Sequence, residues 1–173
     1  MFKCLIKFMT KYQLILYFLI LTILSCEKTH LFNEYKSINK VWDNGKPVLF
    51  DFNVLDTLNT FNFFIKLRTD DNYMFNNIYL DISLDFPSGE RYRDTLEYAM
   101  SNPDGSMLGR GMMTVKEHKL WYKGYKKSFK FNEVGNHKLT VKHLNRELGK
   151  VNGVKFLKGV LDVGYSVETV NKK

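Results

Sequence analysis

The chain has 173 residues, 45% of them hydrophobic and 15% aromatic, and carries a formal net charge of +8. Lys3, Lys7 and Lys11 supply three of those charges, so the rest of the chain carries +5, with no five-residue block of Lys or Arg. That length fits one domain, and so dilute an excess excludes nucleic acid as a partner.

The N-terminal segment comes first. Lys3, Lys7 and Lys11 precede a stretch from Leu14 to Leu24 that is apolar except at Thr22, and Ile23-Leu24-Ser25-Cys26 follows on it. A basic start, a short apolar middle and a small residue before a cut define a secretory signal peptide. A membrane-spanning helix needs ~20 apolar residues, about twice what is present. Ile-Leu-Ser-Cys resembles the bacterial lipobox, in which the Cys receives a diacylglyceryl group, is freed by cleavage and is acylated on its new N-terminus. Residues 1–25 are therefore read as a cleaved signal helix and 26–30 as a lipidated tether. Residues 31–173 are read as a single β-sandwich domain. The covalent lipid on Cys26 is the only attached group expected, with no cofactor and no metal. Cys4 leaves with the signal, so the exported domain must fold without a disulfide.

Beyond the tether the periodicity is that of strands. Val48, Phe50, Phe52 and Val54 alternate with Leu49, Asp51 and Asn53, and Phe61, Phe63, Ile65 and Leu67 with Asn62, Phe64, Lys66 and Arg68. Ile78, Leu80, Ile82 and Leu84 do so most clearly, opposite Tyr79, Asp81, Ser83 and Asp85. A period of two with one apolar side marks a half-buried antiparallel strand. Pro87-Ser88-Gly89 turns the chain into a returning strand from Tyr92 to Met100. Asn102-Pro103-Asp104-Gly105 opens the longest loop. Further strands are expected at Val115 to Tyr122, Ser128 to Phe131, His137 to Leu144 and Val160 to Val170, with Trp42 in an early loop. About eight strands at this spacing predict an all-β antiparallel sandwich, immunoglobulin-like or jelly-roll-like, with a barrel as the alternative.

Catalytic patterns are weak. His137 and His143 share a strand face but are spaced roughly 20 Å apart along it, too far for joint ligation. His30 lies in the tether, and His118 has no partner in a recognisable motif. Asp85, Asp94 and Glu97 border the central hairpin and could in principle form a glycosidase pair, but alternate positions on a hairpin are ordinarily solvated. Asn102 to Gly105 lacks the alternating acidic pattern of a calcium loop. The reading is that the protein is not an enzyme. The aromatics are more telling: Trp42, Trp121, Tyr122 and Tyr125, the last three among Lys119, Lys123, Lys126 and Lys127, form a candidate interaction surface. Its alternative use is stacking Trp42, Trp121 and Tyr125 on a glycan. Against both stands a core position for Trp121, with the lysines protecting an edge strand.

Several segments, in order, carry a family resemblance. They are Cys26 with Phe32-Asn33-Glu34-Tyr35-Lys36, Asp94-Thr95-Leu96-Glu97-Tyr98, Asn102 to Gly105 with Leu108-Gly109-Arg110-Gly111, Val115-Lys116-Glu117 with Leu120-Trp121-Tyr122-Lys123, and Val160-Leu161-Asp162-Val163-Gly164. Together they resemble the GldH family of gliding-motility lipoproteins. The resemblance implies a Bacteroidetes-type envelope lipoprotein needed for gliding and linked to type IX secretion. Its implied partners are the membrane, through the lipid, and other gliding or secretion envelope proteins. Only Cys26 transfers as a modified position. Glu27-Lys28-Thr29-His30 lacks the acidic run of surface-displayed lipoproteins and has Glu, not Asp, after the Cys. Both features point to the outer membrane with the domain facing the periplasm.

Overall fold

The computed structural model describes residues 30–111 and 113–170, so Cys26, the tether ahead of His30 and the signal segment lie outside the described residues. Eight strands follow one another: β1 His30–Asp43, β2 Val48–Val54, β3 Phe61–Thr69, β4 Asn77–Asp85, β5 Arg91–Ala99, β6 Lys116–Lys123, β7 Gly135–His143 and β8 Phe156–Thr169. They form two four-stranded sheets, β1-β8-β3-β6 and β2-β7-β4-β5. Every pairing is antiparallel. The pairs β1·β8, β2·β7, β3·β6 and β4·β5 are those of one long hairpin, folded about its tip at β4–β5 and wrapped into two layers. That order is a jelly roll, two Greek keys in a double sheet. Of the alternatives open in the sequence, the immunoglobulin order and the closed barrel are both set aside.

The inward faces follow the alternation read from the sequence. Ile78, Leu80, Ile82 and Leu84 are fully buried, and so are Leu139, Val141, Val163 and Val167. Aromatic rings fill the seam between the sheets. Phe52 of β2 lies 6.2 Å from Phe63 of β3 and 5.2 Å from Tyr165 of β8, centroid to centroid. Two expectations need correction. Ser128 to Phe131 is not a strand; Phe129 makes one isolated bridge to Phe61, and Phe131 plugs the end of the core against Phe61 and Phe63. And Trp42 is not in a loop but in β1, a strand the alternation hid. Asn39 and Lys40 take φ of 55° and 70°, and the register with β8 shifts on both sides of Lys40. Those left-handed residues change the phase of the apolar positions, so no period of two runs through the strand.

Three of the four histidines are structural. His118 Nε2 lies 3.0 Å from Thr69 Oγ1, and His143 Nε2 donates to the Trp42 carbonyl over 3.0 Å. His137 Nδ1 donates to the Gly135 carbonyl. Burial pushes His118 and His143 down to about 4. Each is thus neutral when folded and gains a proton on unfolding at mildly acidic pH.

Two predictions follow from this core. Ile82→Ala should lower the unfolding free energy by about 2–5 kcal/mol, read from urea melts; a wild-type melt would overturn the strand phase. Stability should also fall as pH drops from 6.5 to about 4. In that window the unfolded chain binds the two protons that the folded chain refuses, at up to about 1.4 kcal/mol per pH unit for each histidine. Melts at stepped pH read this directly, and a flat profile would overturn it.

Candidate functional site

The strand directions sort the connections to two ends. One end carries the start of β1, the close of β8, the β2–β3 loop, the β4–β5 turn and the β6–β7 loop. The other carries the turn after β1 and the loops β3–β4, β5–β6 and β7–β8. A cleft of about 1250 Å³ opens at this second end, between the β3–β4 and β7–β8 loops and over the outer face of β4 and β5.

Both walls are built from local polar geometry. In the β3–β4 loop, Asp70 accepts from the Asn72 amide through its carboxylate and from the Tyr73 amide through its carbonyl. The buried Tyr73 then donates its hydroxyl to the Asn77 carbonyl over 2.7 Å. Gly159 of β8 permits this loop to close. Its φ is +81°, and a Cβ there would stand 2.2 Å from the Tyr73 nitrogen, so no other residue fits. In the β7–β8 loop, Asn145 is the clamp. Its Oδ1 accepts from the Tyr79 amide at 3.1 Å, its Nδ2 donates to the Asn77 carbonyl at 3.1 Å, and its carbonyl accepts from Val154. Beyond it, Arg146 and Gly153 pair as the base of a small hairpin with Leu148 and Val151 at its tip.

The cleft is apolar with a basic rim. Phe75, Tyr79 and Leu144 lie within it, and Met74, Leu148 and Phe156 stand exposed along its edges. Arg146, Lys150 and Lys158 face one carboxylate, Glu147. Leu148 and Met74 have almost all their surface in water, a cost that single scattered residues commonly carry but a rimmed cleft seldom does without a ligand. The arrangement can grip an extended segment whose apolar side chains enter the cleft while its carboxylates meet the lysines.

The surface expected from the aromatics divides. Trp42 is 1% exposed, packed 5.2 Å from His143, and Tyr122 is 8% exposed, edge-on to Phe63; both belong to the core. They are corrections to the predicted set, because both strands turn these side chains inward. Trp121 and Tyr125, 38% and 71% exposed, remain outside, with Trp121 lying on Phe64 at 4.3 Å. Their rings are inclined at 49°, so Trp42, Trp121 and Tyr125 do not make the coplanar row that stacking on sugar rings requires.

Acidic residues are engaged elsewhere. Asp85 takes Arg91, Asp94 takes Lys123 over 2.6 Å, and Glu97 accepts from Asn77. Asp94 and Glu97 occupy opposite faces of β5, so they cannot converge on one bond. Asp104 closes its own turn on Ser106. On the outer face of the first sheet, Tyr35 of β1 lies beneath Lys66 and Arg68 of β3, which both reach Glu117 of β6. Burial would raise the Glu117 carboxyl, but the Tyr35 hydroxyl, Lys66 and Arg68 together outweigh it and hold it below its usual range. This network ties β1, β3 and β6 together. The loop residues of the cleft left no signal in the sequence beyond turn formers, because a cleft between loops has no periodicity.

An eight-stranded jelly roll with a loop-built apolar cleft is the class of protein that this geometry defines. Residues 30–167 match the family described as GldH lipoprotein, and the chain belongs to that family. A protein named gliding motility lipoprotein GldH, from Flavobacterium johnsoniae, is 44% identical over 144 residues, 83% of this chain and 87% of the relative. A homologue of that name from Christiangramia forsetii is 37% identical over 151 residues, 87% of this chain and 91% of its own. Among solved structures, a family GH115 4-O-methyl-α-glucuronidase aligns at a TM-score of 0.43 with 13% identity. The alignment covers 85% of this chain but 18% of the enzyme's. A TM-score below 0.5 does not establish a shared fold. The family membership makes this a lipoprotein of the cell envelope.

Asn145→Ala should strand the Tyr79 amide and leave the Asn77 carbonyl with the Tyr73 hydroxyl alone, lowering stability by about 1–3 kcal/mol. The Tyr79 amide should exchange with solvent faster. Unchanged exchange there would mean that Asn145 does not hold the cleft wall.

Proposed function

We propose that this chain is a non-enzymatic, lipid-anchored assembly component of the gliding-motility machinery, linked to type IX secretion. It is held in the outer membrane through Cys26, with its domain in the periplasm. The family match over residues 30–167, with relatives named as gliding motility lipoproteins, carries the reading. The geometry supports it further. The surface feature in want of a ligand is an apolar cleft with a basic rim, suited to a protein segment, while the carboxylates that could serve hydrolysis are paired with Arg91 and Lys123 or bonded to Asn77. The partner is an envelope protein of the same apparatus presenting an apolar, acidic segment to Met74, Leu148 and Phe156.

Metabolic labelling with a fatty-acid probe tests the anchor: Cys26→Ala should lose the label, and equal labelling would overturn the lipid reading. Leu148→Asp tests the cleft. Leu148 touches solvent alone in the free protein, so its melt should stay within about 0.5 kcal/mol of wild type. Crosslinked partners recovered from envelopes should nevertheless fall, since a buried interface anchor is worth about 2 kcal/mol. Undiminished recovery would remove the cleft from the assembly.

A further inference from the structure

At the opposite end from the cleft, the loops carry a different composition, and β1 begins there at His30. The strands and loops of this end are knitted together. Val170 donates to the Thr60 carbonyl, Phe61 donates to the Phe129 carbonyl, and Gly124 packs on the Phe61 backbone. From this platform Leu55 and Leu58 of the β2–β3 loop stand largely in water, as does Tyr125 of the β6–β7 loop. Lys126, Lys127 and Lys130 are exposed beside Tyr125 and, among the described residues, form no ion pair. Of the acids here, Asp56 caps the turn through Leu58 and Asn59, and Glu133 binds Ser88, while Glu90 in the β4–β5 turn lies beside Tyr92 and is outnumbered by the lysines.

We infer that this end of the domain lies on the bilayer, with Leu55, Leu58 and Tyr125 entering the headgroup region and Lys126, Lys127 and Lys130 binding anionic lipid phosphates. The inference rests on lipidation at Cys26, and the tether fixes the occupant. From Cys26 to His30 the chain can extend no more than about 14 Å, so the end bearing His30 cannot leave the neighbourhood of the headgroups. A face held there, apolar and aromatic at its tips with unpaired lysines around them, has the composition of a peripheral membrane surface. Lysines near an anionic surface add attraction within a Debye length. Tyr125 adds an amphipathic ring suited to the interface. The acyl chains hold the protein in the membrane, and the loops set its orientation, with the cleft pointing away.

Tryptophan fluorescence tests this on the full lipidated protein in vesicles of phosphatidylethanolamine and phosphatidylglycerol, made with and without brominated acyl chains. Trp121 lies 5.4 Å from Tyr125, whereas Trp42 is buried near the far end. Brominated lipid should quench the exposed component of emission. The combined variant Lys126→Glu, Lys127→Glu, Lys130→Glu should lose at least half of that quenching while still floating with vesicles and melting as wild type does. Raising the salt from 0.05 to 0.5 M should weaken quenching likewise, through screening. Vesicle-bound protein with no quenching, or quenching indifferent to the triple variant, would overturn the inference and leave the surface to a protein partner. Failure of wild type to float at all would instead overturn the lipid anchor on which it rests.

Discussion

Phe52 touches every layer of the molecule, and the fold depends on the ring packing around it. It projects from β2 into the seam, 4.9 Å from Phe32 of β1, 5.2 Å from Tyr165 of β8 and 6.0 Å from the plug residue Phe131, with His137 of β7 stacked at 5.8 Å. Both cysteines, Cys4 and Cys26, precede the first strand, so no disulfide can cross-link the sheets. Two sheets that twist independently need side chains large enough to span the gap at its wider end, and aromatic rings do this at low entropic cost. The same need explains why the β6–β7 connection returns Phe129 and Phe131 into the core instead of looping freely.

A seam packed this way leaves the long sides to be closed by polar contacts. On one side Lys36 of β1 donates to the Leu49 carbonyl of β2 over 2.6 Å. On the other, Lys123 of β6 meets Asp94 of β5, and the Tyr98 hydroxyl donates to the Trp121 carbonyl. These bridges occupy edge strands that would otherwise be open to pairing with other chains. With the sides sealed and the faces carrying ion-pair networks such as Tyr35–Lys66–Arg68–Glu117, exposed apolar surface concentrates at the two ends. Binding surfaces on loops held by a rigid scaffold are the usual consequence.

The sequence disclosed those parts of the molecule in which one side chain repeats at a fixed interval. β2, β4 and β7 showed their buried faces because they run without bulges between a core and solvent. β3 was less plain, since Phe64 and Lys66 are buried on its outer face under Trp121, Lys119 and Tyr35. β1 did not show at all, because Asn39 and Lys40 change its phase and its apolar residues are few. The alternating phenylalanines of Ser128 to Phe131 misled for a related reason: residues that plug a core from a loop can carry the same pattern as residues that line it from a strand. The candidate site was the least legible. Tyr125 and Trp121 were singled out by their basic neighbours and are accessible, but Asn145, Gly159 and the Leu148 hairpin act through tertiary contacts that no local pattern records.

Strand length relates the two ends. β1 and β8 have 14 residues each, and at ~3.3 Å per residue such strands extend about 40–45 Å once bulges are allowed for. Anchored as proposed beside His30, the domain would present the β7–β8 hairpin about that far from its own bilayer, beyond several Debye lengths of the headgroup charge. Charge on the cleft rim would then act on a protein partner without competition from the lipid surface, whereas the lysines of the β6–β7 loop would be neutralised by it. Under the proposed anchoring at Cys26, the same cationic side chain would serve different partners at the two ends, and the difference would come from distance along the strands. A short tether favours that arrangement: a long one would let the sandwich tumble and bring its basic cleft down onto the anionic membrane, and only three residues, Glu27 to Thr29, separate Cys26 from the first residue of β1.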